Sequence, residues 1–169
     1  MKYSQRILQK IQEAKQKQIT IKQKDKFNVL QHQEADLLFQ VKFKDIDKYG
    51  IVVDYIAIQK LSPILDVEEI NRRLERQADA IQQRITYLLE DFKLIEIDRM
   101  SKRAQLRSYP PYKKENSKYF YEIVLDEGVK IHFQRYQYSM DEKRYEKITS
   151  QLTREIFARL MDDLVEIIQ

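Results

Sequence analysis

The amino-acid sequence predicts an α+β fold: a mainly antiparallel sheet covered by a long central helix and a C-terminal helix, with an N-terminal helix. Apolar residues recur every three or four positions near both ends of the chain and over residues 66–92, which predicts helices there. The stretches between them alternate apolar and polar residues, as strands do. Because the strands follow one another in runs interrupted by one long helix, we expect a single α+β domain over residues 1–169.

The N-terminal helix has only a thin apolar stripe. Its members are Tyr3, Ile7, Ile11 and Ala14. Over residues 16–26, Lys and Gln surround an alternating Ile19 and Ile21, a pattern typical of a short strand or a connector. We therefore interpret residues 1–26 as a peripheral helix or a mobile basic arm.

The next part of the chain predicts three strands. Alternation of apolar and polar residues is clearest over residues 37–44, which indicates a half-buried strand. Residues 27–29 are its predicted antiparallel partner, and the polar run 31–36 is the predicted turn between them. Residues 51–58 are apolar on both faces, which predicts a central strand; its odd residue, Asp54, is a candidate buried carboxylate.

A long helix is predicted after Pro63. Asp66 followed by Glu69 resembles a capping box, in which the side chains near a helix start bond to free backbone amides. Apolar residues then continue at helical spacing as far as Phe92, about seven turns. Beyond that point the period changes, and residues 94–97 and 104–108 are predicted to be strands.

The best-specified element is a hairpin formed by residues 118–126 and 129–138. A three-residue loop with Gly128 in a left-handed position aligns the two segments so that Ile123 lies opposite Ile131. One face of the hairpin is then wholly apolar. Since a slip of one residue would destroy this match, the pattern itself indicates the register.

The same register places Glu122 directly opposite His132 on the polar face. A carboxylate that orients an imidazole is half of an acid/base pair. No nucleophile or third member is evident nearby in the sequence. We interpret Glu122 and His132 as a candidate polar pair between neighbouring strands.

The last predicted helix, over residues 150–168, has a broad apolar face. Its apolar residues are Leu152, Ile156, Phe157, Leu160, Met161, Leu164, Val165 and Ile168. We expect this helix to pack across the sheet. Its breadth also suggests a contact with a second copy of the chain.

Composition excludes several kinds of chemistry. The chain has no cysteine, which excludes disulfides, a thiolate nucleophile and Cys-containing metal sites. Two glycines are too few for a Walker loop or a dinucleotide-binding motif, and two distant histidines disfavour a zinc site. We predict no cofactor, no metal site and no catalytic residue.

There is no signal-peptide pattern and no apolar run near the roughly 18 residues that span a bilayer, so we expect a cytoplasmic protein without membrane contact.

Charge is concentrated in two basic segments. Residues 1–26 contain eight Lys and Arg against two Asp and Glu, residues 99–118 contain seven against one, and the rest of the chain is acidic. Tyrosines are interleaved with the cations of residues 99–118 around Pro110-Pro111, which predicts an extended loop able to bind phosphates and stack on bases. The candidate nucleic-acid-binding residues are Arg99, Lys102, Arg103, Arg107, Tyr109, Tyr112, Lys113, Lys114 and Lys118.

Two functions from different classes follow from these features. The first is a non-catalytic binding or assembly module that acts through protein–protein contacts, including self-association; it depends on the breadth of the last helix and on the lack of a complete catalytic constellation. The alternative is binding of single-stranded nucleic acid through residues 99–118 and the basic N-terminus. An enzyme is not expected, because it would require Glu122, His132 or Asp54 in a deep pocket.

Overall fold

The structure is a computed structural model that describes residues 2–14, 18–21 and 25–169. In this part of the chain, three helices and eleven strands follow one another. In chain order they are α1 (Tyr3–Ala14), β1 (Gln18–Ile21), β2 (Asp25–Glu34), β3 (Leu37–Ile46), β4 (Gly50–Lys60), α2 (Val67–Arg84), β5 (Asp91–Asp98), β6 (Arg103–Tyr109), β7 (Tyr112–Lys114), β8 (Ser117–Asp126), β9 (Lys130–Ser139), β10 (Arg144–Ile148), β11 (Ser150–Thr153) and α3 (Arg154–Ile168).

All described strands belong to one antiparallel sheet. Its order is β1-β2-β3-β4-β9-β8-β6-β5, with β10 added to β9, β11 added to β4 and β7 added to β8. The predicted α+β class, with a mainly antiparallel sheet and helices at both ends and in the middle, is therefore confirmed.

The sheet forks between β4 and β9. These two strands pair only over Ile56–Gln59 and Lys130–Phe133. Beyond that point the second half of β9 pairs with β10, and the first half of β4 pairs with β11. The fork opens the sheet at one end, where β10 adds its side chains to those of β8 and β9.

The three helices lie side by side on one face of the sheet. α1 packs over β2 and β3, α3 over β4 and β9, and α2 over β5, β6 and β8. Between helices and sheet lies one apolar core whose largest fully buried side chains include Phe39, Phe43, Phe133 and Phe157. Truncating such a residue to Ala costs about 3–5 kcal/mol. The opposite surface of the sheet is called the helix-free face below.

The broad apolar face of α3 is covered within the chain. Its buried residues are Phe157, Leu160, Met161, Leu164, Val165, Ile167 and Ile168. They lie between the sheet and the two other helices, since α3 contacts both α1 and α2. The breadth that suggested a second copy is therefore accounted for by packing on three sides.

Both long helices are shorter than predicted. α2 ends at Arg84, with Ile85 as its C-cap, rather than near Phe92. Ile85 and Phe92 are nevertheless buried, because the loop and β5 continue to bury their apolar side chains after the helix ends. α3 begins at Arg154, because residues 150–153 pair with β4 as β11. In both places the apolar residues continue at helical spacing although the backbone is not helical.

The starts of α2 and α3 are each capped by one side chain. Asp66 accepts a hydrogen bond from the amide of Glu68, 3.1 Å from its Oδ1. In a capping box the side chain of Glu69 would accept a second hydrogen bond from the amide of Asp66. Here the carboxylate of Glu69 accepts from the guanidinium of Arg72 instead. Thr153 accepts from the amide of Ile156 at 3.1 Å and begins α3.

The predicted turn over residues 31–36 is wrong. β2 continues to Glu34, and the turn consists of Ala35 and Asp36 alone. The polar residues of β2 are tolerated in a strand because Gln31 and Gln33 face solvent while Glu34 forms an ion pair with Arg6 of α1, at 2.6 Å.

The register of the β8–β9 hairpin differs from the predicted one by two residues. Ile123 pairs with Phe133 rather than with Ile131, and Asp126 pairs with Lys130. The three-residue loop is therefore residues 127–129, with Gly128 at a positive φ of 71° as predicted. A shift of two leaves every side chain on its own face, so the apolar pattern could not distinguish the two registers.

The helices of the described part of the chain do not combine the length and apolarity that crossing a membrane requires.

Candidate functional site

The basic segment over residues 99–118 is not one loop. It contains the β5–β6 turn, all of β6, the short strand β7 and the beginning of β8. Arg103 and Tyr109 are the two ends of β6, about 20 Å apart at about 3.4 Å per residue. The predicted nucleic-acid-binding residues therefore divide between two ends of the sheet.

One end of β6 borders a groove on the helix-free face, which we call the aromatic–basic groove. Its volume is about 380 Å³. It is lined by Lys93, Ile95, Arg107, Ser108, Tyr109, Pro111, Lys118, Phe120, Tyr138 and Tyr145. Three cations and four aromatic rings thus line one concave surface, and no Asp or Glu is among its lining residues.

Aromatic packing forms the floor of the groove. Phe120 stacks on Tyr136 with ring centroids 5.7 Å apart and meets Tyr145 edge-on at 6.0 Å. Tyr145 in turn lies 4.6 Å from Tyr138. Burial raises the pKa of Tyr136, so its hydroxyl stays protonated and donates to Gln134, 2.7 Å away. Such contacts between neighbouring rings stabilise one arrangement of the floor.

Two of the rings remain open to solvent. Tyr109 is 61% exposed and Tyr145 is 52% exposed, whereas Phe120 beneath them is buried. Flat aromatic surfaces in a basic groove offer stacking platforms for unpaired bases.

Arg107 connects the cations to the aromatic floor. Its guanidinium lies 4.6 Å above the ring of Phe120 and 5.4 Å from that of Tyr145. Its Nε donates to the Oε2 of Glu122 at 3.3 Å, and the same oxygen accepts from Gln105 at 2.7 Å. The two terminal nitrogens of Arg107 donate no hydrogen bond to any residue that the structure describes.

The other end of β6 borders an acidic cleft on the same face. Its volume is about 300 Å³, and it is lined by Glu96, Asp98, Ser101, Arg103, Ala104, Gln105, Glu122 and Val124. Hydrogen bonds from Ser101 and from the amide of Met100 hold the pKa of Asp98 below its usual range, so this carboxylate stays charged. Three carboxylates around a single arginine make this cleft unsuited to a polyanion.

The structure brings only three of the predicted residues into the groove: Arg107, Tyr109 and Lys118. Arg99, Lys102 and Arg103 lie at the opposite end, where Arg99 pairs with Glu75 at 3.1 Å. Tyr112, Lys113 and Lys114 form β7 and are exposed, with Tyr112 packed 5.9 Å from Tyr119.

Several groove residues were not predicted from the sequence. These are Lys93, Ile95, Phe120, Tyr138 and Tyr145. Phe120 is two residues after Lys118 on the same predicted strand, and Tyr138 lies on the other strand of the predicted hairpin. Alternation of side chains places both on the same face as the predicted members of the site. Tyr145 lies on β10, a strand that was not predicted, so no sequence signal connected it to the groove.

The basic N-terminal segment does not extend the groove through α1. This helix packs on the helical face over β2 and β3, where Ile7 and Ile11 are fully buried. The groove lies on the opposite face, beyond β9. Four of the lysines in residues 1–26 lie outside the described residues: Lys15, Lys17, Lys22 and Lys24.

The predicted pairing of Glu122 with His132 is wrong. In the observed register Glu122 lies opposite Gln134, and His132 lies opposite Val124. His132 instead shares a hydrogen bond with the hydroxyl of Tyr55, 2.6 Å from its Nδ1. Burial, helped by the charge of Lys130, lowers the pKa of His132 to about 4. The imidazole is therefore neutral at neutral pH, and among the described residues its hydrogen-bond partner is a tyrosine rather than a carboxylate.

Asp54 is also engaged by a neighbour. Its carboxylate lies 3.6 Å from the ammonium of Lys42 on the adjacent strand, and only 16% of its side chain is exposed. The pair explains how a carboxylate is accommodated in a central strand.

Within residues 2–14, 18–21 and 25–169, no three His, Asp or Glu side chains lie together as metal ligands would. Comparison of the chain with protein-family models, with curated proteins and with solved structures found no match.

Proposed function

We propose that this protein binds single-stranded nucleic acid in the aromatic–basic groove. The observation that carries the proposal is the composition of this surface: Lys93, Arg107 and Lys118 beside the open rings of Tyr109 and Tyr145, with no carboxylate in the lining. Cations bind the phosphates of the backbone, and aromatic rings stack on bases.

A single strand fits this arrangement better than a duplex. The bases of a duplex are stacked on each other and offer only their edges, so open tyrosine rings would have nothing to stack on. In a flexible single strand the bases turn outward and can lie flat on Tyr109 and Tyr145 while the phosphates follow the three cations.

A protein partner is less well supported by the arrangement of the chain. That hypothesis depended on the lack of a complete catalytic constellation and on the breadth of α3, and the apolar residues of α3 pack within the chain. The groove combines cations with exposed aromatic rings, so it is the better starting point for experiments.

The proposal is tested by fluorescence anisotropy with labelled single-stranded RNA and DNA of about 12 nucleotides, long enough for one small binding module. Three phosphate contacts predict that affinity falls about 20-fold between about 50 and 200 mM salt. Arg107→Ala should weaken binding about tenfold at the lower salt and reduce the fall between the two salts to about sevenfold, since one phosphate contact is lost.

Arg103→Ala is the matched control. It removes the same side chain from the same face of the same strand, but beside the acidic cleft. We expect a change of less than about twofold, because Arg103 is too far from the groove to contact a bound phosphate. Equal losses in the two variants, or no binding of any oligonucleotide at about 50 mM salt, would contradict the proposal.

A further inference from the structure

Arg107 differs from the other cations of the groove because it is held in place. Phe120 and Tyr145 lie against its guanidinium, and Glu122 accepts from its Nε. In contrast, neither Lys93 nor Lys118 forms an ion pair with a residue in the described part of the chain. The lysines are flexible charges, whereas the arginine presents a fixed plane of donors.

Glu122 is itself positioned from the other side. Gln105 donates to its Oε2 at 2.7 Å, and only 12% of the Glu122 side chain is exposed. Glu122 lines the acidic cleft and is absent from the lining of the groove. Arg107 therefore lies between the two surfaces, with its Nε toward the carboxylate and its terminal nitrogens without an acceptor among the described residues.

We propose that Arg107 binds one backbone phosphate through its two terminal nitrogens and that Glu122 is the positioning residue that aims them. The inference rests on the proposed function, because it assigns the phosphate subsite of the same groove. A guanidinium held at Nε can still offer two parallel N–H donors to two phosphate oxygens, and such charge-assisted bidentate pairs are stronger and more directional than a single hydrogen bond.

The positioning role and simple electrostatics predict opposite effects for the loss of Glu122. If charge alone mattered, removal of a carboxylate near the groove would strengthen binding of an anion. If Glu122 positions Arg107, its removal frees the guanidinium, restores its side-chain entropy and weakens binding. The sign of the effect therefore separates the two explanations.

The experiment compares Glu122→Leu with Glu96→Leu in the oligonucleotide-binding assay. Both changes remove one carboxylate from the acidic cleft, but Glu96 has no bond to Arg107. We expect Glu122→Leu to weaken binding about fivefold and Glu96→Leu to leave it unchanged or slightly tighter. Arg107→Lys, which keeps the charge and loses the bidentate donors, should also weaken binding about fivefold.

A double-mutant cycle gives the second readout. Glu122→Leu should have no further effect in the Arg107→Ala background, because there is no guanidinium left to position. Gln105→Leu removes only the hydrogen bond that Gln105 donates to Glu122, and it should weaken binding about twofold. This variant replaces Glu122→Leu in the experiment if Glu122→Leu does not fold. Circular dichroism and thermal melts check the folding of each variant.

The outcomes distinguish the two proposals. If the unmodified protein binds no oligonucleotide, the proposed function fails and the subsite fails with it. If the unmodified protein binds but Glu122→Leu binds as tightly as Glu96→Leu or tighter, the positioning role is overturned while the proposed function remains.

Discussion

The two ends of β6 on the helix-free face belong to one short strand and have opposite characters. Arg103 and Arg107 are four residues apart, point to the same side and carry the same charge. Arg103 lies between Asp98 and Asp126 on the neighbouring strands, whereas Arg107 lies between Lys93 and Glu122. A basic segment therefore becomes a basic surface only where its cross-strand neighbours do not carry the opposite charge.

The aromatic residues sharpen this difference. Around Arg107 the nearest side chains include Phe120 and Tyr145, which come from β8 and β10. Around Arg103 the cleft holds Gln105, Ser101 and carboxylates. A polyanion can therefore find both charge and stacking surfaces at one end, and at the other end only a cation that shares its cleft with three carboxylates.

Charge reversal in the groove should have the largest effect. We expect Lys93→Glu combined with Lys118→Glu to weaken binding of single-stranded oligonucleotides at least about 30-fold at low salt, because two phosphate contacts become repulsive. The measurement is fluorescence anisotropy. Lys48→Glu combined with Lys102→Glu changes the net charge equally outside the groove, and a similar loss in that control would show that only total charge matters.

Removal of a stacking ring should have the next largest effect. Tyr109→Ala and Tyr145→Ala should each weaken binding about tenfold with little change in its salt dependence, because stacking contributes about 1–3 kcal/mol per base and involves no counterion. Tyr145→Phe should retain binding. The control is Tyr49→Ala, which removes a ring that is 73% exposed in the turn between β3 and β4; an equal loss there would argue against stacking in the groove.

The smallest effect concerns His132, which lies on β9 between Val124 of β8 and Ala57 of β4. Because its pKa in the folded protein is about 4, below the usual value of 6.5, the folded state resists protonation. The stability that depends on neutral His132 is complete above pH 6.5 and is lost as pH falls toward 4. Allowing for its partial exposure, we expect a loss of about 1 kcal/mol that is absent in His132→Gln.

Urea unfolding of both proteins between pH 7 and pH 4 measures this difference. Carboxylates also titrate in this range, so the comparison uses the difference between the two pH profiles rather than either profile alone. Oligonucleotide binding should stay constant within about twofold from pH 8 to pH 6, because His132 is neutral throughout that range. A clear tightening as pH falls to 6 would show that a titrating cation does contribute to the groove.

Much of the fold follows from local patterns, and the errors occur where a pattern has two solutions. The strand over residues 37–44 was predicted from alternation, the central strand over residues 51–58 from its apolar residues on both faces, and the two strands on either side of residues 99–102 from a change of period. The end of α2 was not, because Ile85 and Phe92 are buried at helical spacing after the helix has ended. The hairpin register was wrong by two residues, because a period of two cannot detect a shift of two.

The candidate site was predicted only in part, because some of its residues are distant from each other in sequence. Arg107, Tyr109 and Lys118 were named from the local mixture of cations and tyrosines, which is visible along the chain. Tyr145 lies on β10, which joins the site by pairing with β9, and it is about 40 residues from Arg107 along the chain. Lys93 lies on β5, which pairs with β6, and it is about 15 residues from Arg107. Local composition carries no information about such partners.

The α+β class, most core residues and the segment in which cations alternate with tyrosines could be predicted from the sequence, because periodicity and composition are local properties of the chain. The division that places Arg107 in a groove and Arg103 in an acidic cleft arises only when the sheet is assembled. Each strand in a sheet takes its electrostatic and packing environment from neighbours that hydrogen bonds bring beside it, and these neighbours are distant in sequence.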